Sequence, residues 1–180
     1  MALRPGSHRL GLDQGTIEVR TYREGLGQMA GHDLIIDVGR WHAAAEVSAE
    51  GALSSLELEV DPPSLQVREG LHGVKPLTDN DRTKIREDIE RKVLGAEPIS
   101  FRSTAVESSG EGVRVQGELT LAGSTRTGSY ELGISPDGRT HGTLAVTQTE
   151  FGIKPYRGFM GALKVRDAVE VAIDVQLPAD

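Results

Sequence analysis

Residues 98–134 limit what this chain can fold into more than any other stretch, because they read as three successive strands with a period of two. In Ile99–Ala105 the odd positions are apolar or small and the even ones polar; in Val113–Leu121 the contrast sharpens, with Arg114, Gln116, Glu118 and Thr120 opposing an apolar set. A third run through Tyr130, Leu132 and Ile134 follows the corner at Ala122–Ser124. Such alternation belongs to an antiparallel meander, which covers a core with one face and meets water with the other. The expected register turns Ile99, Phe101, Val113, Val115, Leu119, Tyr130 and Leu132 inward, and a slip of one residue would turn all of them out.

The flanking segments extend the same pattern. Strands are expected at 16–22, 34–38, 41–49 and 53–61, the last stopped at Pro62-Pro63 because proline cannot donate to a ladder, and again at 140–149 and 168–177. One helix interrupts them at about residues 79–94. Thr78 is its N-cap with Asp81 three residues on, Ile85, Ile89 and Val93 form a narrow apolar stripe, and Gly95 ends it, which suits a helix covering a sheet. Residues 151–163 concentrate Phe151, Ile153, Tyr156, Phe159, Met160 and Leu163 and read as a short helical or loop segment, either a lid over a barrel mouth or a packing plug. Residues 1–15 read as a flexible N-terminal arm and 16–180 as a single domain. Eight or nine strands with one inserted helix point to a closed or nearly closed antiparallel barrel.

Composition narrows the function classes. With 37% hydrophobic but only 4% aromatic residues, the core must be built from Val, Leu, Ile and Ala. A net charge of −7 argues against nucleic acid or an anionic membrane surface as the main partner, since both call for a dense basic footprint. The chain has no cysteine, which excludes disulfides, thiolate metal sites and cysteine nucleophiles. No apolar stretch reaches the length of a membrane span or a signal-peptide core, so stable membrane insertion is not expected and a cytoplasmic location is.

The inward positions hold many small residues, among them Ala43, Ala45, Ala49, Ser103, Ala105, Gly117, Gly128 and Gly142. They either leave a cavity or mark bends and bulges. His32-Asp33 beside Gly31 reads as an acid–base pair or as a loop tie; no serine elbow accompanies it, and the histidines show no metal-ligand spacing, so neither metal nor cofactor is expected. Arg102, Arg126 and Lys75 are either contacts for a ligand head group or solvated cations.

Several runs resemble the YceI-like family. Pro98–Thr104 followed by Gly117–Arg126 is similar to its "I-x-F-x-S-T" strand and "G-x-L-T-x-x-G-x-T" strand and turn, and Gly31-His32-Asp33-Leu34, Ser64-Leu65-Gln66-Val67 and Phe151-Gly152-Ile153 resemble further landmarks in the right order. Ala122 stands where many relatives carry histidine. The resemblance implies an extended eight-stranded lipocalin-like barrel that holds a long apolar ligand, typically a polyisoprenoid or other lipid, in its lumen without catalysis; it leaves a homodimer open. On this reading the ligand meets Ile36, Val38, Ala43, Ala45, Ile99, Phe101, Ser103, Val115, Gly117, Leu119, Tyr130, Leu132, Leu144, Phe151, Phe159 and Met160. Two other readings remain open, a hydrolase or isomerase of hydrophobic substrates using His32 and a filled-core structural or stress-related scaffold.

Overall fold

The alternating segments become paired strands in the computed structural model, which describes residues 2–180 apart from the side chain of Phe159. In chain order they are β1 (Gly6–Leu10), β2 (Gly15–Thr21), β3 (Arg23–Glu24), β4 (Asp33–Val38), β5 (Trp41–Val47), β6 (Leu53–Val60) and β7 (Leu65–Leu71). The helix α1 (Asp79–Asp88) follows, continued by a wider π-type turn at Ile89–Leu94. The second half comprises β8 (Ile99–Ser109), β9 (Gly112–Leu121), β10 (Ser124–Ile134), β11 (Arg139–Thr147), β12 (Arg157–Gly158), β13 (Leu163–Val165) and β14 (Ala168–Gln176). One antiparallel sheet of eleven strands runs β1-β5-β6-β8-β9-β10-β11-β14-β2-β4-β7, and β12, β13 and β3 form a small second sheet. Strands β8, β9 and β10 are sequential neighbours, Val115 is 1% exposed and Gln116 faces solvent, so the expected register holds.

Eleven strands replace the eight expected, and the sheet curls into a half-barrel instead of closing, with β1 and β7 at the ends of its hydrogen-bonded order. The main-sheet strands without an expected counterpart are β1 and β7, while the breaks after β4 and β6 fall where expected. A 3-10 turn at Leu12–Gln14 separates β1 from β2, Gly39 and Arg40 separate β4 from β5, and a 3-10 turn at Pro62–Ser64 separates β6 from β7. The last two breaks lie side by side, since Trp41 pairs with Val60 and Val38 with Leu65. Ser64 stitches them: its Oγ donates to the Asp61 carbonyl at 2.6 Å and accepts from the Arg40 N–H at 2.9 Å, and its carbonyl accepts from the Gly39 N–H at 3.0 Å. A Cβ on Gly39 would sit 2.7 Å from that carbonyl, so only glycine permits the approach.

Three local features also depart from simple alternation. Residues 6–10, expected within a loose arm, pair with β5 as β1, and Leu3 is buried against the far end of the chain through a bridge to Ala179; Pro5 and Gly6 mask a strand too short for periodicity to reveal. A bulge at Thr104 shifts the β8–β9 ladder, so that Ser103 pairs with Gly117 but Ala105 with the outward Gln116, and Val106 takes the inward place expected of Ala105. Between β10 and β11 only Gly133–His141 and Ile134–Thr140 are in register, and the two strands part below that point.

The helix covers the sheet as its sequence indicates. Thr78 Oγ1 accepts from the Asp81 N–H at 3.2 Å while Asp81 Oδ2 accepts from the Thr78 N–H at 2.9 Å, a reciprocal capping box that holds the Asp81 carboxyl below the usual range. Its apolar stripe points at the sheet, where Ile85 and Ile89 pack on the main core. At the opposite end of the half-barrel, Leu10, Trp41, Ala43, Ala45, Val47, Leu53 and Val113 pack tightly together.

The β9–β10 turn carries a cost. Ala122 has φ +48° and Gly123 φ +74°, a two-residue hairpin turn that demands the left-handed region at both positions, where a non-glycine residue other than Asn or Asp is disfavoured. Ala122→Asn is expected to gain about 1 kcal/mol and raise the melting temperature by roughly 2–4 °C in a thermal scan.

Candidate functional site

Inward residues of nine strands of the main sheet and the turn that continues the helix bound a cavity of about 220 Å³. It is bounded by Ile17, Val19 and Thr21 of β2, Ile36 and Val38 of β4, Leu56, Leu58 and Val60 of β6, and Leu65 at the start of β7. Ile99 and Phe101 of β8, Val115, Leu119 and Leu121 of β9, Tyr130 and Leu132 of β10, and Leu144 and Val146 of β11 continue the wall. Val169, Val171 and Ile173 of β14 close one side, Gln148 and Ile153 lie at the loop end, and Ile89, Val93 and Leu94 form the roof. The strands supply every second residue, so the period of two that builds the sheet also makes the cavity apolar. Leu56, Leu58, Leu119, Leu144 and Val171 point inward yet are only half-buried, because the space before them is unfilled.

Among the described residues, Thr21, Tyr130 and Gln148 bring the polar side-chain atoms to this wall. Gln148 Nε2 donates to the Arg166 carbonyl at 2.9 Å and is thereby satisfied. The Tyr130 ring meets Phe101 edge to face at 5.8 Å, and burial, aided by the charge of Glu150, pushes its phenol pKa up, which keeps it neutral. Among the described residues no carboxylate, imidazole, amine or guanidinium lines the space. Its walls can therefore exchange apolar surface with a guest but offer no acid, base or charged anchor.

Of the residues expected at a ligand, Ile36, Val38, Ile99, Phe101, Val115, Leu119, Tyr130, Leu132 and Leu144 meet around this cavity. The others lie elsewhere. Ala43 and Ala45 are buried in the packed core on β5, beside Leu10 and His8 of the neighbouring β1. Ser103 sits at the bulge and its Oγ accepts from the Leu56 N–H at 2.8 Å. Gly117 is covered by the Phe101 ring, so the room a glycine leaves is taken by its neighbour. Gly142 is filled likewise by Leu132, whose Cδ2 lies 2.7 Å from where a Cβ would be. Phe151 packs with Leu121, Val146 and Ile153 in a second apolar cluster beside the cavity. Met160, with φ +54°, is fully exposed, and the Phe159 side chain lies outside the described residues. The 151–163 segment itself consists of 3-10 turns at Gln148–Phe151 and Phe159–Gly161 joined through β12.

The sequence neighbours His32 and Asp33 do not form a pair. His32 Nε2 donates to the Lys75 carbonyl at 2.6 Å, while Asp33 accepts from His72 Nδ1 at 2.8 Å and from the Arg23 N–H at 2.8 Å. Both histidines thus tie the 71–77 loop, and none of the three residues lines the cavity. Burial works against charge on Asp33, but the Arg23 N–H, His72 and the Arg23 guanidinium together hold its pKa below the usual range. A depressed carboxylate stabilises the fold above its ordinary pKa and loses that contribution as pH falls through the folded value. In urea melts the deficit of Asp33→Asn should accordingly be full at pH 7 and shrink below about pH 4. Arg102 pairs with Glu57 at 2.9 Å on the outer face, whereas Arg126, in register opposite Leu119, lies on the inward side of β10 near its turn and is exposed there.

The sequence matches the YceI-like domain over residues 34–177. The chain belongs to the YceI-like family. Crystal structures agree on the fold: BcnA of Burkholderia cenocepacia superposes with a TM-score of 0.65 at 14% identity, over 89% of this chain and 94% of that one. The YCEI protein of Campylobacter jejuni does so with a TM-score of 0.57 at 12% identity, over 81% and 84%. Among curated proteins no sequence matches the chain.

In this YceI-like chain several cavity residues escape the sequence reading. The alternation of Val169, Val171 and Ile173 and of Leu56, Leu58 and Val60 marks them as inward but does not say which inward positions face a void. The helix residues Ile89, Val93 and Leu94 have the stripe of a cover, and the sequence has no signal that their cover lies over empty space.

Proposed function

We propose that the protein is a non-catalytic carrier or store that binds a long apolar molecule, a polyisoprenoid or another lipid, within the half-barrel. The observation that carries this reading is a wall of mostly aliphatic side chains that, among the described residues, includes no charged group. Burial of about 0.8 kcal/mol per methylene means that roughly ten methylenes gain about 8 kcal/mol, against an association cost of about 4 kcal/mol or more. A long chain is therefore retained and a short one is not. Catalysis through His32 lacks support, because its ring is committed to the Lys75 carbonyl outside the cavity. A filled scaffold is disfavoured by the unfilled space before Leu144 and Val171.

Organic extraction of the purified protein, followed by mass spectrometry, tests the reading. Recovery of one apolar molecule per chain is expected. An empty extract, combined with no uptake of a fluorescent polyprenol by the delipidated protein, would overturn it.

A further inference from the structure

Three segments meet at the loop end of the half-barrel. Residues 22–31 and 152–166 are joined by the β3–β13 pairing, by the Gly27 N–H donating to the Ala162 carbonyl at 2.9 Å and by the Arg166 N–H donating to the Tyr22 carbonyl at 2.8 Å. Residues 71–77 join them through Arg23 Nη1, which donates to the His72 carbonyl, and through His32 on Lys75. Thr21, Gln148, Ile153 and Val169 of the cavity wall adjoin this cluster. Among the described residues seven large apolar side chains are exposed, and all except Leu12 lie on these three segments. Leu26 and Met160 stand fully in solvent, with Met29 and Val74 mostly so.

Charge separates in the same place. Lys75, Lys154, Arg157, Lys164 and Arg166 lie on these segments, and among the described residues none of the five is in an ion pair. Arg23, the sixth cation, is taken by Asp33. Glu24 is the one acid within the segments. The acids that border them are engaged inside the protein: Asp33 by His72, Asp167 by Thr149 and Glu170 by the Tyr22 hydroxyl. Glu69, Asp79 and Asp81, which flank residues 71–77, are taken by Arg68, Arg82 and the Thr78 cap, and Glu150 lies near Tyr130. The net charge of −7 thus conceals a cationic end on an otherwise acidic body.

We infer that this end docks on the surface of an anionic lipid bilayer. Apolar tips on the same segments as Lys and Arg that make no ion pair match the layered chemistry of such a surface, where acyl chains lie under negative headgroups. The acidic body is repelled from the same surface, which turns the cationic end toward it. The acidic body of a second copy would attract the cations, but among the described residues it offers the apolar tips no exposed large apolar side chain besides Leu12. Docking itself does not depend on the carrier reading; its use, to bring the cavity mouth to a lipid source, does.

Flotation of the full chain with vesicles tests the inference. Vesicles of phosphatidylcholine mixed with phosphatidylglycerol should bind at least about tenfold more tightly than phosphatidylcholine alone, with the difference shrinking as salt is raised. Combined Lys154→Glu and Arg157→Glu should lose about tenfold or more, and Leu26→Ser with Val74→Ser severalfold, each with an unchanged melting temperature; Leu12→Ser should bind as the parent does. Equal binding to both vesicle types, or binding to neither, overturns the inference. Concentration-dependent dimerisation lost in the Leu26→Ser, Val74→Ser variant, without vesicle binding, overturns it in favour of a second copy. A retained lipid in the extract without vesicle binding sinks the docking and spares the carrier, and vesicle binding with an empty extract does the reverse.

Discussion

Gly117→Leu is expected to destabilise the protein by about 3 kcal/mol and lower its melting temperature by roughly 6–12 °C. Gly117 is buried on β9, and a Cβ there would strike both the Arg102 carbonyl and the Phe101 ring. The carbonyl belongs to the β8–β9 ladder and cannot withdraw without breaking it. The ring could turn aside only into the cavity, at the loss of its edge-to-face contact with Tyr130. Were Gly117 open to a lumen, leucine would be accepted and the melting temperature would hold. Calorimetry separates the two outcomes.

Val171→Phe should behave in the opposite way. Val171 projects into the cavity from the middle of β14, between Leu144 of β11 and Val19 of β2, and is only half-buried. The larger side chain enters existing space, so the lipid-free protein should melt at the same temperature or slightly higher, as cavity-filling substitutions commonly do. Binding of a long apolar chain should fall about tenfold or more, because the ring occupies the volume that each buried methylene needs. A titration with a fluorescent polyprenol reads the loss. Unchanged affinity would place the ligand elsewhere.

The contrast between these two positions explains how far the sequence could be read. Strand positions and their facing were legible in residues 98–134, since periodicity reports which side chains turn inward, and Val115 and Gln116 lie as expected. Helix limits were legible from chemistry specific to helix ends, the Thr78–Asp81 capping box and Gly95. Strand number was not, because β1 is too short, next to Pro5 and Gly6, for periodicity to reveal, and in β7 only Leu65, Val67 and Leu71 alternate with the polar residues around Gly70. Nor could small residues reveal the cavity. A glycine or alanine reports room at its own Cβ, but whether that room stays empty is decided by its neighbours: Phe101 fills it at Gly117, Leu132 at Gly142, and the surrounding core packs against Ala43 and Ala45. The cavity instead lies before large aliphatic residues whose partners stop short of them. The pairing of His72, not His32, with Asp33 has the same origin, being made by a loop that returns about forty residues later.

The central claim, that this void and not the packed end of the half-barrel receives a long apolar molecule, is tested most directly by intermolecular nuclear Overhauser effects. Methyl-labelled protein saturated with a long-chain isoprenoid alcohol should show contacts from the ligand to Val115, Leu144 and Val171, and none to Ala45, Val47 or Leu53. Contacts confined to the second group, or a ligand with no contact to either, would contradict the account.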